Sequence, residues 1–394
     1  MAQTWNQHVV KKENKTLVLE TIKEHAPISR ADVAQRTGLN KGTVSSLVSE
    51  LINEQLIDEL GPGESSGGRR PVMLLFNQLV GYAIGIDLGV NYLLGILTDL
   101  NGNIITEKKI NYENISYEEI RERLWDMIDF LKSKAPDCPY GIIGIGIGVP
   151  GIVSNEGEIL LAPNLNWKRI QLKEEVEKKY NLPVTIENEA NAGAYGEKKF
   201  GAGKDFQDIV YVSVSYGIGV GLILNGNLYK GSHGFSGEFG HMTIELKGLD
   251  CRCGNNGCWE LYASEQAILR RAKELKIQPN KGEELTLDTL VQLADQAEDP
   301  NAIALFEEIG EYLGLGITNI VNSFNPDQII IGNRITAAKK WLQPTLIDRI
   351  YSYALKFHQT DLQINFSILT THSTALGVAA FAIENFLEVD LIKK

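Results

Sequence analysis

The sequence pattern changes near Gly81, and this change constrains the fold more than any other feature of the 394-residue chain. Before it, apolar residues recur at helical spacing between short turns. After it, apolar stretches alternate with glycine-rich turns, with amphipathic segments such as Tyr117 to Lys134 between them, a pattern typical of an α/β fold. We therefore predict an N-terminal domain at residues 1–78 and a larger α/β part at residues 79–394, in line with the domain number expected for this length.

Residues 15–57 carry the pattern of three helices separated by turns. Ser29, with Asp32 three residues later, has the form of a capping box that opens the short second helix. Asn40 can cap the third helix, whose apolar residues recur at i, i+3, i+4, i+7 and i+8 and so define one buried face; they are Val44, Leu47, Val48, Leu51 and Ile52. This order of helices is typical of a helix-turn-helix, in which the third helix enters the major groove of DNA.

Two short strand patterns, 56–60 and 71–76, follow the third helix and enclose a loop that ends in two arginines. A loop of this kind forms the wing of a winged helix-turn-helix and can reach a phosphate or a narrow minor groove. The predicted DNA-binding residues are Asn40, Lys41, Thr43, Ser45, Ser46, Arg69 and Arg70. The alternative is a three-helix bundle that serves only for packing or dimerisation.

Charge limits where DNA can bind. The chain has a net charge of −12, but residues 1–80 contain nine Lys or Arg and nine Asp or Glu and are neutral. Binding to DNA phosphates requires basic groups at the contact. We therefore expect only the N-terminal part to approach DNA.

Composition excludes a membrane-spanning or secreted protein. No stretch approaches the roughly 20 apolar residues of a membrane span. The first basic residues follow a weakly apolar segment rather than precede a long one, which is the wrong order for a secretory signal. These features predict a cytoplasmic protein without a membrane segment.

Three of the four cysteines lie close together in the sequence. Cys251, Cys253 and Cys258, with His241 ten residues earlier, supply three thiolates and one imidazole. This set satisfies tetrahedral zinc and leaves no open position for water, so the predicted site is structural. The glycines at 254 and 257 allow the chain to fold back around one ion. The alternative is a group of reduced cysteines near an unrelated histidine.

Six motifs follow one another in a fixed order after residue 81 and span most of the remaining chain. They are Ile86-Asp87-Leu88-Gly89, Gly146-Ile147-Gly148-Val149-Pro150-Gly151, Asn188-Glu189-Ala190-Asn191, Gly217-Ile218-Gly219-Val220-Gly221, Gly237-Glu238-Phe239-Gly240-His241 and Cys251-Arg252-Cys253-Gly254-Asn255-Asn256-Gly257-Cys258. With these motifs the chain resembles the ROK family of repressors and sugar kinases. The resemblance implies a two-lobed actin/hexokinase-like core, with one lobe at about 79–187 plus the C-terminal segment and the other at about 188–370. It also implies Zn2+ at the Cys/His cluster.

The nucleotide positions depart from the ROK kinase pattern. The first glycine turn of the kinases continues Gly-Thr, where this chain has Val90-Asn91, and their second phosphate turn begins Gly-Thr-Gly, where it has Ser215-Tyr216-Gly217. A phenol at that turn blocks the close backbone approach that a phosphate requires. The late Gly-Gly of the kinases is Gly332-Asn333 here.

The base position differs as well. The kinases carry an Asp after the Asn, whereas this chain has Asn188-Glu189. The longer side chain displaces the carboxylate by about one C–C bond, ~1.5 Å, and general-base geometry tolerates little displacement. We therefore expect sugar binding without phosphoryl transfer and assign no catalytic residue. The extra length of Glu189 also suggests a preference for pentoses, because it occupies room that a hexose needs for its hydroxymethyl group.

The positions that hold sugar hydroxyls in the family are kept. The predicted sugar-binding residues are Asn188, Glu189, Glu238, His241, Glu260 and, more weakly, His233 and Asn164. Amides and carboxylates suit hydroxyl donors that must be satisfied once buried. His241 would bind zinc through one ring nitrogen and orient the sugar site through the other. The alternative for the glutamates at 238 and 260 is an ordinary solvent-facing position.

Together these features predict a homodimeric repressor that binds a palindromic operator and releases it when the core binds a sugar. D-xylose is the sugar that the resemblance implies. Two alternatives stay open: a ROK sugar kinase with an appended N-terminal domain, and a sugar-binding protein that acts through a protein partner without contacting DNA.

Overall fold

The computed structural model describes residues 7–62, 71–113, 115–279 and 282–387. Its N-terminal part consists of α1 (Gln7–His25), β1 (Ile28–Ser29), α2 (Arg30–Thr37), α3 (Lys41–Asn53), β2 (Ile57–Pro62) and β3 (Val72–Phe76). The three strands form an antiparallel sheet in the order β1-β3-β2. The predicted winged helix-turn-helix is confirmed, with the two-residue β1 as an addition that is too short to show a sequence pattern.

Local hydrogen bonds set the helix limits in this part. Ser29 Oγ accepts a hydrogen bond from the Asp32 backbone N–H at 3.2 Å and donates one to the Asp32 carboxylate at 2.7 Å. Gly38 ends α2 in the left-handed conformation, with φ 71°. Asn40 Oδ1 caps α3 by accepting from the Thr43 N–H at 2.8 Å. The apolar face of α3 then packs inward, and Val44, Leu47, Val48 and Leu51 are all buried.

The rest of the chain is built on two five-stranded sheets and one small sheet. The strands are β4 (Tyr82–Leu88), β5 (Tyr92–Thr98), β6 (Ile104–Asn111), β7 (Ile142–Val149), β8 (Ile152–Val153), β9 (Ile159–Ala162), β10 (Trp167–Ile170), β11 (Val184–Asn188), β12 (Ile209–Val214), β13 (Ile218–Leu224), β14 (Asn227–Leu228), β15 (Gln328–Gly332) and β16 (Gln363–Phe366). The strand orders are β11-β7-β4-β5-β6, β14-β13-β12-β15-β16 and β10-β9-β8.

The two large sheets repeat one topology. In the first, β4, β5 and β6 are antiparallel neighbours and β7 and β11 continue the sheet in parallel. In the second, β12, β13 and β14 are antiparallel and β15 and β16 are parallel. Such a duplication is the expected form of a two-lobed actin/hexokinase-like core, and the predicted fold class is confirmed.

Nine α-helices accompany the sheets within the described residues. They are α4 (Tyr117–Ser133), α5 (Leu172–Tyr180), α6 (Glu189–Phe200), α7 (Glu260–Ala263), α8 (Glu265–Glu274), α9 (Leu287–Gln296), α10 (Pro300–Phe324), α11 (Lys339–Tyr353) and α12 (Ser373–Leu387). Helix α4 begins at Tyr117, as the sequence predicts. Ser116 and Glu119 form a capping box at this end of the helix. Among the described residues no helix has both the length and the apolar character needed to cross a membrane.

Helices α6 and α12 pack against each other at glycine. A Cβ on Gly377 would lie 1.7 Å from the Ala192 carbonyl oxygen, and one on Gly196 would lie 2.2 Å from the Ser373 carbonyl oxygen. Gly85 of β4 approaches α12 as closely, because a Cβ there would lie 2.0 Å from the Ala375 oxygen. Only hydrogen fits at these contacts. These close contacts hold α12 against α6 and β4, and the N-terminus of α6, with Glu189, lies at the base of the cleft between the two large sheets.

Candidate functional site

A cavity of about 470 Å³ opens where loops from both large sheets meet. Five of the predicted sugar-binding residues line it: Asn188, Glu189, Glu238, His241 and Glu260. Asn164, the weakest candidate, also lines it, and Arg252 Nη1 donates a hydrogen bond to Asn164 Oδ1 at 3.2 Å. His233 is exposed and does not belong to the lining. The structure therefore brings together all these candidates except His233.

The side chain of Asn188 is largely occupied by the protein itself. Its Oδ1 accepts the backbone N–H groups of Ala190 and Asn191 at 2.9 and 3.1 Å, which caps α6. Its Nδ2 donates to the Gly151 carbonyl oxygen at 2.8 Å. One amide hydrogen stays available for a ligand. Sequence reasoning missed this capping role, although Asn is a preferred N-cap residue.

Two carboxyl groups, those of the buried Asp87 and the half-buried Glu189, lie near the base of the cavity. Asp87 on β4 is fully buried, and burial raises its pKa to about 7. The Tyr92 hydroxyl donates a hydrogen bond to Asp87 Oδ2 at 2.7 Å, which lowers the pKa by a smaller amount. Burial also raises the pKa of Glu189 to about 8, with smaller contributions from the charges of Asp87 and Glu238. In the part of the chain that the structure describes, Asp87 Oδ1 is buried without a hydrogen-bond partner. Burial thus favours the protonated form of both carboxyl groups.

Tyr92 is a cavity residue that sequence reasoning missed. Its ring packs on Gly89, where a Cβ would lie 2.2 Å from the Tyr92 ring, and its hydroxyl points at Asp87. The sequence signal that could have indicated this contact is Gly89 of the Asp-Leu-Gly motif, because a glycine leaves room for an adjacent aromatic ring. Val90, Asn91 and Tyr216 line the same cavity.

Two glutamates flank the imidazole of His241. Glu260 Oε1 lies 3.4 Å from Nδ1, and Glu238 Oε2 lies 3.9 Å from Nε2. The Nδ1 side also faces Cys251 Sγ at 3.6 Å. The ring therefore has one nitrogen directed to the cysteines and the other directed to the cavity, the orientation that a shared metal and sugar role requires.

The four predicted metal ligands form one cluster. The ligand atoms of His241, Cys251, Cys253 and Cys258 all lie within 4.8 Å of one another, and the sulfurs of Cys253 and Cys258 are 3.7 Å apart. Burial raises the pKa of the Cys251 and Cys258 thiols, and a bound cation would reverse this by favouring the thiolates. Three soft sulfur donors and one imidazole fit zinc. The cluster is a candidate metal centre.

Glycine makes the metal loop possible. Gly254 and Gly257 have φ values of 93° and 69°, in the left-handed region. At Gly257 a Cβ would also lie 1.8 Å from the Glu245 carbonyl oxygen. The loop closes through the Cys251 N–H, which donates to the Asn255 carbonyl oxygen at 2.8 Å. The loop folds back at both glycines, as the sequence predicts.

The predicted DNA-binding residues at the start of α3 are accessible. Lys41, Ser45 and Ser46 are exposed and Thr43 is half-buried. Asn40 is exposed, but its Oδ1 is used by the helix cap. Arg69 and Arg70 lie outside the described residues. The exposed face of α3 is thus the candidate DNA surface.

Comparison with known proteins follows the same division of the chain. The ROK family model matches residues 83–385, and a model described as winged helix-turn-helix DNA-binding matches residues 12–58. The xylose repressor of Bacillus subtilis (strain 168) is 45% identical over 384 residues, covering 98% of this chain and 98% of the repressor.

Two solved structures extend the comparison. A ROK family transcriptional regulator, a homolog of the E. coli MLC protein, matches with a TM-score of 0.82 at 32% identity and covers 97% of this chain and 98% of its own. A ROK family glucokinase from Streptomyces griseus in complex with glucose and AMPPNP matches with a TM-score of 0.68 at 27% identity, covering 76% of this chain and 99% of the kinase. The regulator thus matches along nearly the whole chain and the kinase along about three quarters of it.

Proposed function

The chain belongs to the ROK family, and we propose that it is a transcriptional repressor that binds operator DNA and releases it when its core binds D-xylose. The observation that carries the proposal is the combination of a winged helix-turn-helix with a cavity of about 470 Å³ lined by amide and carboxylate groups. Such groups accept the hydrogen bonds of sugar hydroxyls. The xylose assignment is supported by the name of the B. subtilis relative.

In this proposal the sugar lies between the loops of the two large sheets. Glu189, Glu238 and Glu260 accept hydrogen bonds from its hydroxyls, and Asn188 donates with its remaining amide hydrogen. The length of Glu189 favours a pentose. We expect Glu189→Asp to bind D-glucose relatively better than the wild type does, measured as the ratio of xylose and glucose affinities by calorimetry. An unchanged ratio would contradict this role.

We also propose that the metal centre holds structural zinc and that the active form is a homodimer. His241, Cys251, Cys253 and Cys258 would hold the ion, which would fix the loop beside the cavity. Two copies of α3 related by a two-fold axis would read a palindromic operator with half-sites about one helical turn, or a multiple, apart. Footprinting that protects a single half-site bound by a monomer would contradict the dimer.

The second candidate function is a sugar kinase, which the match to the S. griseus glucokinase favours. Three features of this chain oppose it: Val90-Asn91 at the first glycine turn, the phenol of Tyr216 at the second, and Glu189 at the base position. A coupled assay with ATP and a panel of sugars separates the two functions. We expect no sugar-dependent turnover, and turnover with any sugar would restore the kinase.

The repressor is tested by fluorescence anisotropy on DNA from upstream of its own gene and of genes for xylose use in the same genome. We expect binding at moderate salt and release by D-xylose but not by an inert sugar. Binding that no sugar affects would retain the repressor and reject the effector. Absence of any binding would favour the kinase or a protein partner.

Lys41→Ala tests the DNA surface in the same assay. The variant should bind more weakly, with the slope of log affinity against log salt reduced by about two, because each of the two α3 helices in the proposed dimer loses one phosphate contact. Lys340→Ala, a change to an exposed lysine of the core, serves as the control and should leave both values unchanged. Wild-type affinity and salt slope in Lys41→Ala would remove this residue from the DNA contact.

A further inference from the structure

Glu187 is a buried carboxylate that none of the predicted roles uses. It is in β11, the edge strand of the first large sheet, directly before Asn188. Its Oε2 lies 2.8 Å from Lys230 Nζ, and the side chains of the two residues are only 5% and 19% exposed. Lys230 follows β14, the edge strand of the second large sheet. The ion pair therefore joins the two sheets at one side of the cleft.

The same carboxylate also orders the start of α6. Glu187 Oε1 accepts the backbone N–H of Asn188 at 2.9 Å and an amide hydrogen of Asn191 at 3.2 Å. These contacts hold the turn from β11 into α6, which carries Glu189 at the cavity. All the contacts leave the carboxylate oxygens well satisfied, as a buried charge requires.

Lys230 orders the opposite wall in a similar way. Its carbonyl oxygen accepts the Ser236 N–H at 3.2 Å, which closes the loop between them. Gly231, Gly234 and Gly237 in or next to this loop all have positive φ values, from 71° to 95°. The loop leads directly into Ser236 and Glu238, which line the cavity. Lys230 is therefore held at the start of this loop by its side chain, through Glu187, and by its backbone, through Ser236.

We propose that Glu187 and Lys230 are positioning residues for the sugar site, which set the distance between Glu189 on α6 and Glu238 on the opposite wall without contacting the sugar. The inference rests on the proposed function, since it concerns the effector site of that function. A buried ion pair contributes little net stability compared with apolar residues, but removing one partner leaves an unpaired buried charge. The pair is therefore better suited to fixing the distance between α6 and the opposite wall than to adding stability.

The test compares Lys230→Met, Lys230→Arg, Glu187→Gln and the double variant Glu187→Gln/Lys230→Met with the wild type, by calorimetry with D-xylose well below each melting temperature. We expect Lys230→Met to weaken xylose binding at least tenfold. Lys230→Arg should restore affinity to within about threefold, and the double variant should lose less than the sum of its single changes. Lys340→Met, which breaks an exposed pair with Asp295, is the matched control and should bind normally.

Zinc content and sugar-free DNA binding show that each variant is folded. A merely structural pair would lower the melting temperature but leave the affinity of the folded protein unchanged. Wild-type affinity in Lys230→Met would therefore overturn the positioning role alone. If the wild-type chain binds no sugar, the proposed function fails and this inference fails with it.

Discussion

At the scale of single residues, burial rather than residue type decides the charge at the base of the cleft. Asp87 and Glu189 are both carboxyl groups, yet burial raises their pKa values to about 7 and 8. Tyr92 donates to Asp87 and holds it in one orientation. Of the two, Glu189 lines the cavity, and its protonated form can donate as well as accept a hydrogen bond.

Stability should therefore depend on pH through Glu189. The pKa of Glu189 in the folded chain lies above that of an unfolded carboxyl group, which is about 4. Between about pH 4 and pH 8 the folded chain therefore binds more protons than the unfolded chain. Its free energy of unfolding falls as the pH rises through this window. We expect Glu189→Gln to show a shallower decline, by at most one proton, in sugar-free chemical denaturation from pH 6 to pH 9. Glu118→Gln, an exposed site on α4, should keep the wild-type decline, and an identical decline in Glu189→Gln would contradict the raised pKa.

The four cysteines should differ in their effect on bound metal. Cys258→Ser should remove about one equivalent of zinc, measured by mass spectrometry of the purified protein, and should lower the melting temperature, because a structural zinc contributes directly to folding. Cys138→Ser is the control, since Cys138 lies outside the cluster, and should keep its zinc. Equal zinc content in the two variants would rule out this centre.

At the scale of elements, close contact between α6 and α12 determines how the lobes are joined. The two helices pack with backbone against backbone, because Gly377 and Gly196 present no side chain. Helix α12 also contacts the start of α6, where Thr374 Oγ1 donates to the Glu189 carbonyl oxygen at 3.0 Å. A change in this packing would reach the first turn of α6.

Gly377→Ala should destabilise the core strongly. The added Cβ would meet the Ala192 carbonyl oxygen at 1.7 Å, and backbone cannot yield as a flexible side chain does. We expect a loss of about 1–3 kcal/mol or more in the free energy of unfolding, measured by chemical denaturation. Gly61→Ala, with no atom within 4 Å of the new Cβ, should stay near wild type; a similar value for both variants would refute the tight contact.

At the scale of the whole molecule, the N-terminal part is packed against the core. Val18, Ile22 and Leu51 share one apolar cluster with Ala382 and Ile383 of α12. Two hydrogen bonds also join the N-terminal part to the core. Lys23 Nζ donates to the Leu100 carbonyl oxygen at 3.1 Å, and the Tyr140 hydroxyl donates to the Glu54 carbonyl oxygen at 3.0 Å. The DNA-binding part is therefore docked on the core.

Ile383→Ala should weaken this docking. Ile383 is 1% exposed, and removing a buried isoleucine side chain costs about 2–5 kcal/mol. We expect faster proteolysis of the N-terminal part under native conditions and a lower melting temperature. Ile368→Ala, at a residue 69% exposed, should leave both unchanged, and wild-type protease resistance in Ile383→Ala would argue against the docking.

The sequence by itself determined the features that depend on short-range interactions. Caps at Ser29 and Asn40, the buried face of α3 and the metal cluster each involve residues within about one helix or one loop, so periodicity and spacing were sufficient to predict them. The family motifs also predicted the two-lobed fold, and every predicted sugar-binding residue except His233 lines the cavity.

Only the tertiary structure decided how residues far apart in sequence meet. Asn188 donates to the Gly151 carbonyl oxygen, His233 lies outside the cavity, and Glu187 pairs with Lys230 across the two sheets. The docking of α12 on the N-terminal part belongs to the same class. These outcomes depend on which groups packing excludes from water and brings within hydrogen-bond distance, and such information is not present in the spacing of residues along the chain.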